Sequence, residues 1–284
     1  MTGYDMRHFI NKLLGVLMTI ILVTGCAATS RITVPDESSL TEQTIQPGQG
    51  KEIELKETEL AGTESEKTLE PEAALNVEKK PMVALTFDDG PFDFTDIFLD
   101  ILERHGARAT FFLVGKEIKG REASVIRMAR NGNEIAGHTW AHKRLTDLNN
   151  HELKETIEAT SALIEQVTGI PSPRFFRPTY GDVNTRVANV CAELGYALIN
   201  WTVDPQDWKQ LNADKIYDAV MTSVEENSII LLHELFASTA AATARLVPAL
   251  IAKGYELVTL SELMHHLHGE LKPGIVYGSP PMRR

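Results

Sequence analysis

The sequence is poor in cysteine and in positive charge, and each shortage excludes a class of protein. Its 284 residues include two cysteines, Cys26 and Cys191, which allow at most one disulfide and exclude a disulfide-stapled scaffold. Lys and Arg number 28 against 39 Asp and Glu, a formal net charge of −11, so no basic surplus exists to neutralise nucleic-acid phosphates. With 43% hydrophobic and 24% charged residues, the chain can still bury a sizeable core.

Aromatic side chains are absent from residues 27–80, which also carry over half of the net charge. Twelve acidic residues stand against six basic ones there, a net of −6, and Glu, Thr and Ser are abundant. Such a segment cannot bury enough apolar surface to offset the entropy of ordering. We therefore predict a disordered, acidic tether; a small helical subdomain around 52–59 is the alternative.

An uncharged apolar run of eleven residues, 13–23, follows Arg7 and Lys12 near the N-terminus. At 1.5 Å per residue it is too short for about 30 Å of hydrocarbon and is typical of a secretory signal. The run leads into a segment, LVTGC at 22–26, that resembles the lipobox of bacterial lipoproteins. The resemblance implies a signal peptide at 1–25 and a lipid on Cys26, which begins the linker at 26–80. A plain signal peptide and an anchor helix ending in Cys are the alternatives.

From residue 81 onward, short apolar runs alternate with longer segments of helical period. Seven such alternations predict an α/β domain with a parallel sheet, and this length favours a closed or partly closed β/α barrel. The domain is expected at 81–268, followed by a C-terminal tail at 269–284. The predicted strands are 82–87, 109–114, 134–136, 174–177, 197–202, 228–232 and 256–260, and the predicted helices are 95–105, 117–131, 148–168, 185–194, 213–224, 239–253 and 261–268.

Polar residues follow the predicted strands at their C-terminal ends, where the chemistry of such barrels gathers. Asp88 and Asp89 follow the first strand, and two like charges there raise one pKa unless a cation binds; an Asp-rich turn is the alternative. His138 and His142 are spaced so that one helical turn would aim both imidazoles at one point; a surface pair is the alternative. Two His and one carboxylate suit Zn²⁺ or another divalent transition metal, with positions left for water and substrate.

Five segments together resemble the ordered motifs of the polysaccharide deacetylases, the NodB-homology enzymes of carbohydrate esterase family 4. The similarity covers about 80–268 and keeps the family's order. It implies a distorted (β/α) barrel of about seven strand-helix units, in agreement with the alternation of strands and helices. The segments are 86–90 (TFDDG), 138–142 (HTWAH), 177–181 (RPTYG), 204–208 (DPQDW) and 231–233 (LLH).

The resemblance implies one divalent transition metal held by Asp89, His138 and His142. Zinc is expected, with cobalt and manganese as alternatives. It further implies that Asp88 is the general base and His233 the general acid, which protonates the leaving amine.

The same resemblance assigns supporting roles around the base and the acid. Arg177 matches the residue that pairs with the base, and Asp207 matches the carboxylate that polarises the acid. The backbone N–H of Tyr180 matches an oxyanion donor, while Leu231 and Trp208 match apolar walls around the acetyl methyl group and the acid. One departure is Thr179, which stands where the family often has proline and changes the rigidity of that loop.

Taken together, these features predict a membrane-anchored, extracytoplasmic, metal-dependent N-deacetylase. Peptidoglycan N-acetylglucosamine is the favoured substrate because a lipid on Cys26 and a tether would hold the domain against the wall. The expected partners are an acetylated polysaccharide and the membrane, with no nucleic acid; the oligomeric state is left open. Alternatives are deacetylation of xylan or chitin oligosaccharide, and an inactive glycan-binding lipoprotein. A glycoside hydrolase is excluded because Asp88 and Asp89 share one turn and cannot easily flank a glycosidic bond about 5 Å or more apart.

Overall fold

The computed structural model describes residues 80–278. The predicted signal peptide, Cys26 and the predicted tether up to residue 79 lie outside the described residues. Within 80–278, no helix is both long enough and apolar enough to cross a membrane.

A curled parallel sheet forms the centre of the fold. Seven strands follow the order β6-β1-β2-β3-β4-β5-β8, and β7 pairs with β1 outside this path. Between β5 and β6, the N–H groups of Thr202 and Val203 donate to the carbonyl of Ile229, so the curled sheet approaches closure as a half-barrel. The strands are β1 (Met82–Asp88), β2 (Thr110–Leu113), β3 (Glu134–Gly137), β4 (Phe175–Phe176), β5 (Ala197–Ile199), β6 (Ile229–His233), β7 (Glu256–Leu257) and β8 (Val276–Tyr277).

Helices connect the strands, which confirms the predicted distorted β/α barrel. The helices Thr95–His105 and Thr185–Leu194 have the predicted bounds, whereas the predicted helix at 117–131 is interrupted at Gly120, where φ is +84°. Short 3₁₀ turns occupy Leu145–Asp147 and Thr179–Gly181. The helices are α1 (Thr95–His105), α2 (Gly115–Ile118), α3 (Glu122–Arg130), α4 (Asn150–Thr168), α5 (Thr185–Leu194), α6 (Asp207–Gln210), α7 (Ala213–Ser223), α8 (Ala237–Ala252) and α9 (Leu260–His268).

The period of two along β1 divides its side chains between two environments. Leu85 and Phe87 pack against the surrounding helices in the largest apolar cluster, in which Phe98 of α1 also lies. Burying each of these large side chains contributes about 1.5–3 kcal/mol. The alternate residues Thr86 and Asp88 are also buried, but on the side where the barrel places its polar groups. The strand thus builds the core with one face and the candidate site with the other.

Folded residues continue into 269–284, the predicted C-terminal tail. Val276 and Tyr277 form β8, which pairs in parallel with Leu198 and Ile199 of β5. The N–H of Asn200 also donates to the carbonyl of Tyr277, at 2.8 Å. This strand follows the last predicted helix and has no helix after it within residues 80–278, so the alternation of strands and helices does not predict it. The folded unit therefore extends at least to residue 278.

Candidate active site

The carboxyl ends of four strands bring the predicted polar residues together. Asp88 of β1 and His233 of β6 are register partners at the ends of adjacent strands. His138 follows β3 and donates its N–H to the carbonyl of Leu113, while Arg177 follows β4 and donates its N–H to the carbonyl of Gly137. Parallel strands end at one edge of the sheet, so residues distant in sequence become neighbours there.

Three predicted metal ligands converge at this edge. Oδ1 of Asp89 lies 3.4 Å from Nε2 of His138 and 3.0 Å from Nε2 of His142. One ligand atom from each residue lies within 4.8 Å of the other two, and this is the one such group found among residues 80–278. The spacing of the two histidines predicts a helical turn, but the loop between them is not helical. Thr139 and His142 have positive φ, +65° and +55°. Left-handed residues thus orient the imidazoles, at a conformational cost of about 1–3 kcal/mol each.

The donor set at this cluster fits a divalent metal ion. Asp89 Oδ1 is buried and has no hydrogen-bond donor among the described residues. Nδ1 of His138 lies 2.8 Å from the carbonyl oxygen of Arg177, to which an Nδ1–H donates. In this tautomer the lone pair of Nε2 faces Asp89. A carboxylate and two imidazoles suit Zn²⁺, Co²⁺ or Mn²⁺, and the half-buried His142 leaves one side of the cluster open.

The charges of the cluster explain the protonation states of its members. Burial opposes ionisation of Asp89, but its interactions with the two imidazoles lower its pKa well below the usual range. Burial likewise opposes charging of His138, yet the charges of Asp88 and Asp89 raise its pKa. A proton on His138 offsets the negative charge of the two adjacent carboxylates. A cation bound at the cluster would offset the same charge.

Asp88 is anchored from below by a fully buried arginine. Nη1 of Arg177 donates to Asp88 Oδ1 and to the hydroxyl of Thr86, both at 2.7 Å. Its Nε and Nη2 donate to the carbonyls of Ile199 and Asn200, at 3.2 and 3.0 Å. Burial lowers the pKa of Arg177, while the charge of Asp88 opposes that shift. An ion pair buried with this many hydrogen bonds holds Asp88 in one orientation, and removing either partner alone leaves a costly buried charge.

A second buried carboxylate holds His233. Oδ1 of Asp207 lies 2.7 Å from Nδ1 of the ring, and Oδ2 accepts the backbone N–H of His233 at 2.7 Å. The carboxylate also accepts the Trp208 N–H at 2.9 Å and the Thr239 hydroxyl at 2.8 Å. Burial disfavours the charged ring, but the hydrogen bond and the charge of Asp207 outweigh it and raise the pKa of His233 to about 9.

The remaining predicted residues lie around this centre. Tyr180 is 60% exposed with φ +63°, and its ring meets the His142 ring edge-on, with 5.1 Å between centroids. Leu231 is buried on β6 opposite Thr86, and Trp208 is 50% exposed beside Asp207. Trp208 thus offers an apolar surface to solvent, while Leu231 is buried in the strand that ends at His233.

Glu234 is a buried residue of the site that no sequence pattern indicates. Its Oε2 accepts from the Thr95 hydroxyl, and its Oε1 has no hydrogen-bond partner among the described residues. A Cβ on Gly90 would overlap its carboxyl group, so this turn requires glycine. Burial raises the pKa of Glu234 to about 8. An acidic residue in a loop gives no sequence signal of burial, because Thr95 and Gly90 approach it only in the folded protein.

Comparison with known proteins supports the resemblance. The family profile described as polysaccharide deacetylase matches residues 76–199. A chitooligosaccharide deacetylase from Sinorhizobium fredii (strain NBRC 101917 / NGR234) is 36% identical over 196 residues, which cover 64% of this chain and 91% of that protein. This chain belongs to the polysaccharide deacetylase family. Family membership supports hydrolytic deacetylation, and the deacetylases of carbohydrate esterase family 4 use a divalent metal.

Two further relatives show the range of the deacetylase family. The peptidoglycan-N-acetylmuramic acid deacetylase PdaC from Bacillus subtilis (strain 168) is 34% identical over 206 residues, 72% of this chain. This chain spans 42% of that protein's length. A structure of a family 4 acetyl xylan esterase from Clostridium thermocellum, in complex with a cobalt ion, has a TM-score of 0.64 and 31% identity, covering 71% of this chain and 100% of that one. The relatives share deacetylation and differ in the polymer.

Proposed function

We propose that this deacetylase removes the N-acetyl group from N-acetylglucosamine units of peptidoglycan, using one divalent metal ion. The observation that supports the proposal is that a carboxylate and an imidazole, each paired with a buried residue of opposite charge, lie beside the triad. Asp88 is paired with a buried arginine and His233 with a buried carboxylate, and the two are register partners across adjacent strands. One is arranged to accept a proton and the other to donate one.

In the proposed reaction, water adds to the carbonyl carbon of the acetamido group, the C–N bond breaks, and acetate and a free amine leave. When bound at Asp89, His138 and His142, the metal supplies Lewis-acid polarisation of the carbonyl and of water. The rest of the chemistry belongs to side chains and backbone of the chain.

Asp88 takes the proton of the attacking water. Its Oδ1 is occupied by Arg177, so Oδ2, 3.7 Å from Nε2 of His138, is the oxygen that faces the triad. The guanidinium fixes the orientation of the carboxylate, so the base is already positioned in the resting protein.

His233 donates a proton to the leaving amine from Nε2, because Nδ1 is engaged by Asp207. Its pKa of about 9 keeps the ring protonated near neutrality, and proton donation becomes easier as the amine gains basicity during C–N cleavage. Asp207 therefore sets both the direction and the charge of the acid.

One backbone group and two apolar side chains are proposed to surround the acetyl group and the acid. The backbone N–H of Tyr180 is proposed to donate to the developing oxyanion, which is where such a donor contributes most. Leu231 is proposed to contact the acetyl methyl group, and Trp208 to shield the acid from water.

The decisive experiment is acetate release from purified peptidoglycan by the full chain loaded with Zn²⁺, followed by mass spectrometry that locates the free amines. We expect amines on glucosamine residues, no activity in Asp88→Asn and wild-type activity in Asp218→Asn, a change at an exposed aspartate of α7. Amines confined to muramic acid, or acetate released only from acetylxylan or chitin oligosaccharide, would refute the substrate assignment while retaining the deacetylase.

We also propose that the chain is an extracytoplasmic lipoprotein with a signal peptide at 1–25, a lipid on Cys26 and a tether up to residue 80. The support is the apolar run, the lipobox-like sequence and the aromatic-free acidic segment. Membrane fractionation of Cys26→Ala should show release of the protein with unchanged activity of the solubilised enzyme. Membrane retention equal to wild type would contradict the lipid anchor.

A further inference from the structure

A cavity of about 540 Å³ opens beside the loop that carries the two metal-binding histidines, and no residue assigned to catalysis lines it. Trp140 and Leu148 provide apolar surface, while Glu155 and Glu158 of α4 and Lys143 provide charge. The cavity is therefore a mixed site, with an aromatic wall and acidic side chains, next to the proposed reaction centre.

The aromatic wall is held rigidly although Trp140 is 41% exposed. The backbone N–H of Trp140 donates to the Thr156 hydroxyl at 2.7 Å, and the backbone carbonyl of Trp140 accepts the Lys116 N–H at 2.9 Å. The indole lies directly against Gly115, where a Cβ would come within 2.5 Å of the ring. A fixed indole binds an apolar ring face at a small cost in conformational entropy.

Glutamates outnumber basic residues along one side of the cavity. Three glutamates and one lysine line it, a net charge of −2. Glu152 is used to cap α4, where it accepts the Asn149 N–H, and Glu155 pairs at 3.3 Å with the exposed ring of His151. Glu158 is exposed and forms no ion pair within residues 80–278. The cavity is complementary to a ligand that combines a positive charge with an apolar ring face.

We propose that this cavity binds a glucosamine unit, with the sugar ring against Trp140 and the ammonium group facing Glu155 and Glu158. The proposal rests on the proposed function, because glucosamine is the unit that N-deacetylation produces. Trp140 lies two residues from both His138 and His142, so its Cα is at most about 7 Å from either ligand's Cα. The cavity is therefore close enough to the ligand loop for a neighbouring unit of a bound polymer to reach it.

Selection by charge has a consequence for the product. An N-acetylated unit is neutral and gains no attraction from the two carboxylates, whereas the ammonium of a deacetylated unit does. The cavity thus favours strands that have already been deacetylated at a unit near the one now at the metal. Deacetylated units are then expected in neighbouring groups along the polymer.

The test is calorimetric titration of the full chain with the tetramer of β-1,4-linked glucosamine, which has no acetyl group to lose. In Glu155→Gln/Glu158→Gln we expect Kd to rise about 5- to 20-fold, since each exposed charge pair changes affinity about two- to fivefold. Glu165→Gln, at an exposed position of the same helix outside the cavity, is the matched control and should leave Kd unchanged. Equal Kd values in the double variant and the wild type would refute the proposal.

Two further measurements separate the alternatives. Trilysine that binds as tightly as the tetramer, with the same loss in the double variant, would mean that the cavity binds cationic peptide, and would overturn the aminosugar assignment. On the fully acetylated tetramer, the double variant should yield fewer products with adjacent free amines than the wild type. Absence of acetate release by the wild type from both the acetylated tetramer and purified peptidoglycan would refute the proposed function, while the Kd values of the unacetylated tetramer would still decide whether the cavity binds glucosamine.

Discussion

The metal-ligand triad and the Asp207–His233 pair lie at the same edge of the sheet, yet they satisfy their polar atoms in opposite ways. In the triad, a buried oxygen of Asp89 has no hydrogen-bond donor among the described residues. In the pair, the Asp207 carboxylate accepts from two groups of His233, from Trp208 and from Thr239. We propose that a cation completes the triad, whereas the pair satisfies its polar atoms with groups of the chain itself.

The backbone differs in the same way. Asp89 and His142 lie in loops with positive φ, +73° and +55°, whereas His233 is the last residue of a regular strand. Positive φ in residues other than glycine costs conformational energy, so the surrounding contacts must stabilise this backbone conformation. We expect damage to the triad to abolish metal binding and damage to the pair to alter proton transfer alone.

The largest effect is expected from His138→Ala. Loss of one of three protein ligands leaves an underfilled shell, so metal affinity should fall more than about 100-fold, beyond the usual effect of outer-shell changes. Metal content by mass spectrometry and acetate release should disappear together. His266→Ala, at an exposed histidine of α9, is the control. A variant with full metal occupancy and activity would remove His138 from the ligand set.

His233→Ala should separate the pair from the triad. We expect kcat/KM to fall about 10²- to 10⁴-fold, as for loss of a general acid, while metal content stays at the wild-type level. Parallel measurement of bound metal and turnover tests this. Loss of the metal together with activity would show that His233 supports the triad and would contradict its separate role.

Asp207→Asn should shift the pH profile. His233 must be protonated to act, so wild-type kcat/KM is expected to fall as pH rises through about 9. Without the carboxylate, burial lowers the imidazolium pKa and only the weaker effects of the Asp88 and Asp89 charges oppose it, so the alkaline limb should move to lower pH by about one unit. The variant must retain its fold and its metal for the comparison. An alkaline limb that does not move would mean that Asp207 does not control the acid.

The smallest effect on turnover near neutral pH is expected for Glu234→Gln, because burial raises the pKa of Glu234 to about 8 and glutamine resembles the protonated side chain. A raised pKa in the folded state stabilises the protein below the ordinary value of 4.5, and this stabilisation is lost as pH rises toward 8. The wild-type Tm should therefore fall over that range, and the variant's Tm should fall less.

The control for this stability experiment is Glu165→Gln, whose Tm should follow the wild type across the same pH range. Identical pH dependence of Tm in wild type and Glu234→Gln would show that Glu234 does not take up a proton on folding. A large loss of activity in Glu234→Gln at pH 7 would instead show that its charge is used.

Sequence patterns predict the parts of the fold that depend on side-chain periodicity. α1 and α5 occur with the expected bounds, and the seven predicted strands are all present, several of them shorter. β8 escapes prediction because no helix follows it within the described residues to complete a strand-helix alternation, and α6 escapes it because four residues are too few to show a helical period. The left-handed residues Thr139 and His142 escape it too, since neither side chain signals positive φ in the way glycine does.

The amino-acid sequence by itself determined which chemical groups end the strands: Asp88 and Asp89 after the first, His138 after the third, Arg177 after the fourth and His233 after the sixth. An apolar run that stops at a polar residue is a local feature. Only the tertiary structure decided which atoms of these residues meet. Nδ1 of His138 pairs with a carbonyl 39 residues away, and Glu234 is buried against Thr95, 139 residues away. Such contacts form only when the strands pair, because hydrogen bonds and burial depend on distance in space, not along the chain.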